Sequence, residues 1–123
     1  DTIDILDPYI LNFGIEYVVR PQDMSEKFII MDRCNEAIAK NFEQPFFIGE
    51  PLYISEIYKV LKDVTGVLDV VKVKIFNKLG NDYSMASIDI NDNISGDGSY
   101  LIVPRNAILE LKYPRVDIIG KIR

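Results

Sequence analysis

The chain has 123 residues, 48% of them hydrophobic and 27% charged, with a net charge of −5. That is enough for one domain with its own core, too little for two comfortable ones, and too apolar for large-scale disorder. The acidic balance gives no basic stripe for neutralising phosphates, and no histidine means no imidazole base or zinc ligand and no Ser-His or Cys-His nucleophile pair.

In chain order, "DTIDILDP" (residues 1–8) reads as an entering linker closed by Pro8, with a single domain over residues 9–123. The first residue is Asp1 rather than Met, so the expectation is a C-terminal piece of a longer polypeptide. No apolar run reaches about eighteen residues and no basic-then-apolar leader is present, so a soluble fragment is expected. "LNFGIEYVV" alternates, placing Leu11, Phe13, Ile15, Tyr17 and Val19 on one face of a strand that Pro21 ends.

Residues 22–45 predict the strongest helix, opened by a capping-box-like Asp23 and Glu26 and closed by Pro45. Ile30, Met31, Cys34, Ala37, Ile38 and Phe42 form its apolar stripe. The lone Cys34 falls on that stripe as a small buried hydrophobe rather than a reactive thiol. "FFIGEPLYI" is a connector with a short strand. Ser55 is expected to cap a second helix with apolar Ile57, Tyr58, Leu61 and Val64, stopped at Gly66 by a left-handed turn. A strand over 67–76 follows, with Val71, Val73 and Ile75 facing inward and Lys72 and Lys74 facing water. "NKLGNDYS" and "DNISGDGS" are turns, and "MASIDIN" is a strand pairing Ile88 with Ile90 on one face. "YLIVP", "NAILELKYP" and "VDIIGKI" supply the last strands. Helices early and strands late predict a two-layer α+β domain, two helices packed on one face of a mainly antiparallel sheet.

Tests for chemistry return little. "SGDGS" leads into a strand instead of opening a helix, so it is a hairpin turn rather than a phosphate cradle. Asn93, Ser95, Asp97 and Gly98 mimic half of a calcium loop, but Pro104 stands where the bidentate Glu belongs. With 19 acidic residues, chance carboxylate pairs carry no weight. An acylphosphatase-like reading requires a glycine-shaped anion loop after the first strand, and Arg20 is followed by "PQDMSEK". The expectation is no enzyme, no cofactor and no metal.

The positive signal is aromatic. Phe46, Phe47 and Tyr53 gather in the connector, and Tyr83, Tyr100 and Tyr113 border turns, where rings favour protein interfaces or else close the edge of a small core. The chain begins acidic (Asp1, Asp4, Asp7, Glu16) and ends basic (Arg105, Lys112, Arg115, Lys121, Arg123). These are either two solvated surfaces or ends that meet each other or a neighbouring subunit. Candidate interface residues are therefore Phe46, Phe47, Tyr53, Tyr100, Tyr113, Arg115 and Lys121.

"DPYILNFGIEYVV", a long amphipathic helix and "GEPLYISEIYKVLKDVTGVLDVVKVKI" together resemble the C-terminal part of the baseplate J-like family, the baseplate wedge proteins of contractile-tailed bacteriophages. The carrying residues are the proline before the alternating strand; Gly49, Pro51 and Ser55; and Gly66, Val67, Val70, Val71 and Val73. The ending "VPRNAILELKYPRVDIIGKIR" is similar to the family's closing strands. The likeness spans residues 8–76 and 101–123, while 77–100 matches less well. It implies a structural subunit of the virion tail baseplate, assembled in the host cytoplasm, that self-associates as a dimer and joins other wedge subunits. It transfers no catalytic residue. Without the resemblance, the same element order also describes a small ferredoxin-like regulatory or ligand-binding module.

Overall fold

A computed structural model of the chain describes residues 7–123; the expected linker falls largely outside the described residues. The order is β1 (Tyr9–Pro21), a 3-10 turn (Met24–Glu26), α1 (Lys27–Asn41), β2 (Leu52–Tyr53), α2 (Ile54–Lys62) and β3 (Val67–Asn77), followed by α3 (Ile90–Asn93), β4 (Tyr100–Leu101), β5 (Ala107–Glu110), α4 (Pro114–Asp117) and β6 (Ile118–Ile122). The architecture is the expected α+β arrangement, with α1 and α2 on one face of the sheet. β1 is its centre. The longest ladder, β1 with β3, is antiparallel, while β5 and β6 lie end to end along the other edge of β1, parallel to it. β2 and β4 form a separate antiparallel ribbon.

The alternation of β1 works as read: Leu11, Phe13, Ile15, Tyr17 and Val19 are all buried, beneath Ile30, Cys34 and Ile38 of α1 and Ile54, Ile57 and Leu61 of α2. The Tyr17 hydroxyl donates to Asn35 Oδ1 at 2.6 Å, which satisfies the one polar atom this strand sends under the helix. Burial pushes the Tyr17 hydroxyl strongly up and the Cys34 thiol up to about 11, since neither charged form can be solvated there. Gly66 has φ 98°, a left-handed stop that only glycine takes cheaply, and its carbonyl accepts from Gln22 N at 2.8 Å.

Several boundaries differ from expectation. Asp23 Oδ1 accepts from Ser25 N at 3.0 Å and caps the 3-10 turn, so α1 begins only at Lys27. Ser55 lies inside α2, whose N-cap is Tyr53; Ser55 N donates instead to Ser99 O at 3.0 Å, so the ribbon satisfies the first-turn amide that a cap would have served. Irregularities in the β1–β3 register leave Val71 as an extra residue between Lys72, opposite Val18, and Val70, opposite Val19. The expected 71/73/75 face is thus reduced to Val73 and Ile75. "MASIDIN" is not a strand. Asp89 Oδ1 accepts from Asp92 N at 3.1 Å and Asp89 O from Asn93 Nδ2 at 2.7 Å, local bonds that turn the chain into α3. "YLIVP" pairs only over Tyr100–Leu101, "NAILELKYP" only over Ala107–Glu110, and the short α4 opened by Pro114 takes Val116 and Asp117 from the start of the expected last strand.

Candidate interface surfaces

The side of the sheet away from the helices is divided in two. Its first half is covered. Asn12 and Gly14 point there and are buried, Asn12 beneath Ser84 of residues 78–89 and Gly14 against the Phe76 ring and the Asp117 carbonyl of α4. Asn12 Nδ2 donates to Glu110 Oε1 at 2.8 Å, and its Oδ1 accepts from Ser84 N at 2.7 Å, which pins the long loop to the sheet. Asp117, 1% exposed, accepts from the Tyr83 hydroxyl at 2.9 Å and pairs with Lys78 Nζ at 3.5 Å through the same oxygen, Oδ1. Its Oδ2 is buried with no partner among the described residues. Desolvation first, then the hydrogen bond to Asp117, pushes the Tyr83 hydroxyl up to about 12. Tyr83 also meets Tyr113 edge to face at 5.6 Å, with Lys78 5.0 Å above its ring. Sequence patterning missed this network. The one available signal was a polar Asn12 flanked by apolar neighbours in a strand with two covered faces.

The second half is open and basic. Across the sheet, Val18 stands between Lys72 of β3 and Lys121 of β6, and Glu16 between Lys74 and Ile119. Lys72, Lys74, Lys121 and Arg20 are exposed around the half-buried Val18 and Glu16. Lys121 Nζ contacts Glu16 Oε1 at 2.6 Å. That hydrogen bond and charge, with lesser help from Lys72 and Lys74, hold the Glu16 carboxyl below its usual range. Of the charges that make the start acidic and the end basic, Glu16 and Lys121 meet in this pair.

The connector aromatics separate. Phe46 is half-buried and packs on the margin of the core, edge-on against Phe13 at 5.8 Å and stacked against Phe42 at 5.7 Å. Phe47 is 79% exposed and its neighbour Ile48 52%. Their backbone is held: Glu50 Oε1 accepts from Phe47 N at 2.8 Å and Ala107 O from Gly49 N at 2.7 Å. Tyr53 and Tyr100, cross-strand neighbours on the β2–β4 ribbon, are exposed with ring centres 6.0 Å apart. Phe46, Phe47 and Tyr53 line one shallow hollow of about 270 Å³.

Tyr113 and Arg115 lie elsewhere, on a groove of about 1150 Å³ between α1 and residues 111–116. Its walls carry exposed Ile29 and Val116 together with Asp32, Arg33, Glu36 and Lys112, charges of both signs. The structure thus spreads the seven candidates over three surfaces, with Phe46 half-buried beneath the first, rather than on one site.

In the "SGDGS" turn, Asp97 Oδ1 accepts from both Ser95 Oγ at 2.8 Å and Ser99 Oγ at 2.7 Å. Bonds from Ser99, then Ser95, hold the Asp97 carboxyl down to about 2. The hairpin reading stands, since Ile94 and Leu101 bridge antiparallel across it. Among the described residues no three Cys, Asp or Glu groups converge as a metal site, and no helix is long and apolar enough to cross a membrane. No protein-family model matches the chain, and no curated protein sequence matches it.

Proposed function

We propose that this chain is an assembly domain acting through protein–protein contact, a structural part of a phage tail baseplate wedge. The observation that carries the reading is the Phe47, Ile48, Tyr53 and Tyr100 surface. Large rings stand in water on a backbone pinned by Glu50, Ala107 and the ribbon pairing. A rigid exposed ring contributes contact area with little ordering cost, the property that marks interface hot spots. The sequence likeness to baseplate J-like proteins supplies the identity of the assembly: its partners are further wedge subunits and a second copy of the chain. The test is co-sedimentation with wedge subunits. Phe47→Ser with Tyr53→Ser abolishes partner binding while leaving the circular dichroism spectrum and unfolding midpoint in place. Retained binding in that variant overturns the role of this surface.

The groove beside α1 favours a second reading, a ligand-binding module, because it is concave and lined by Tyr113 and charges of both signs. A thermal upshift with a small metabolite, lost in Tyr113→Ala, selects that reading over the first.

A further inference from the structure

A small pocket opens along the outer edge of β3. It holds about 300 Å³ and its lining includes Lys72, Val73, Lys74, Ile75, Ile54 and Ile90. Among the described residues β3 pairs only with β1, so this edge has no second strand. Val73 N donates away from β1, to the Tyr58 hydroxyl at 3.1 Å. By the alternation of antiparallel pairing, the N–H and C=O of Ile75 point the same way, toward the pocket. One side of the edge is aliphatic (Val73, Ile75, Ile54, Ile90) and the other carries Lys72 and Lys74.

The chain contains a segment with the complementary pattern. Residues 1–6, "DTIDIL", lie outside the described residues. In an extended conformation Ile3 and Ile5 share one face and Asp4 takes the other. Laid along β3, that segment puts two isoleucines against the aliphatic side and its carboxylate between the two lysines.

Its own chain cannot deliver it. Asp7 O accepts from Asn106 Nδ2, which fixes the segment's exit at the β5 edge, across the sheet from β3. Ile75 lies opposite Ile15, roughly 26 Å along the strand from residue 7. Asp4, three residues from Asp7, reaches about 10 Å. The copy that supplies this segment is therefore a second one.

We infer that residues 1–6 of one copy dock on the β3 edge of another, with Ile3 and Ile5 in the pocket and Asp4 between Lys72 and Lys74. The inference rests on the assembly reading above and specifies its self-association. The test uses the full chain in sedimentation velocity: the wild type, Asp4→Lys, the double variant Lys72→Glu with Lys74→Glu, and an equimolar mixture of the two variants. Each variant alone loses at least about tenfold in dimer affinity, because like charges now face each other. The mixture regains it, since each chain then meets an edge of opposite sign. A wild type that dimerises together with variants that dimerise equally well overturns the docking site and leaves the assembly reading standing. A mixture that stays monomeric while the wild type dimerises overturns the charge pairing. A wild type that is monomeric throughout removes self-association itself. Variants whose circular dichroism matches the wild type exclude unfolding as the cause.

Discussion

Lys78 Nζ and Asp117 Oδ1 stand 3.5 Å apart on the side of the sheet away from the helices, the carboxylate fully enclosed and the lysine side chain 28% exposed. The pair closes residues 78–89 over β1, and it does so with one carboxylate oxygen left without a partner. Burying an ion pair stabilises little by itself, whereas breaking one strands a charge. Lys78→Ala is therefore expected to destabilise the fold by about 2 kcal/mol, less than a wholly buried pair because water reaches the lysine. Urea unfolding of the variant measures this; an unchanged midpoint refutes it.

Gly14 leaves room for the Phe76 ring and the Asp117 carbonyl. A Cβ built there would overlap the ring and come within 2.9 Å of Asp117 O. The backbone carbonyl cannot step aside as a flexible side chain would. Gly14→Ala is expected to cost about 1–3 kcal/mol as overpacking, read as a lowered thermal midpoint.

Phe46 and Phe47 are adjacent and have opposite roles. Phe46→Ala removes packing against Phe13 and Phe42 from a half-buried ring and is expected to cost about 2 kcal/mol, less than a fully buried phenylalanine. Phe47→Ala removes a ring that is 79% exposed and is expected to leave stability within about 0.5 kcal/mol while weakening assembly. Parallel denaturation and sedimentation of the two variants separate the roles; equal destabilisation would contradict the assignment.

Alkaline stability follows from Tyr83 and Cys34, held up to about 12 and about 11 against ordinary values of 10.0 and 9.0. Tyr17 shifts in the same direction. The fold prefers the neutral form of each group. Their stabilisation is therefore complete below the unfolded-state values and is lost as pH climbs through the interval up to the folded ones. The unfolding midpoint should fall between about pH 9 and about pH 12, and Tyr83→Phe should make the fall shallower. Cys34 should resist thiol reagents at neutral pH until the protein unfolds, which a reagent titration with and without denaturant checks.

The layers of this fold were legible wherever burial has a period. The odd positions of β1, the Ile30–Cys34–Ile38 line of α1 and the stop at Gly66 all report one face meeting one core. The polar network was not legible. Asp117, Lys78, Tyr83 and Asn12 are distant in sequence, and nothing periodic distinguishes a buried carboxylate from a solvated one. α3 escaped because "SIDI" alternates like a strand while Asp89 and Asn93 bond locally and turn it. Among the interface candidates, the rings of Phe47, Tyr53, Tyr100 and Tyr113 are exposed rather than closing the edge of the core. Phe46 was indistinguishable from Phe47 until the connector's path was known, because which of two adjacent rings turns inward depends on Phe13 and Phe42 and not on the connector.

The account depends most on the connector rings existing for a partner. Sedimentation of the chain, alone and mixed with baseplate wedge subunits, from micromolar to near-millimolar concentration measures this directly. Association with the subunits should strengthen with concentration and be lost in Phe47→Ser with Tyr53→Ser at unchanged stability. A chain that sediments as a monomer throughout and ignores every subunit would contradict it.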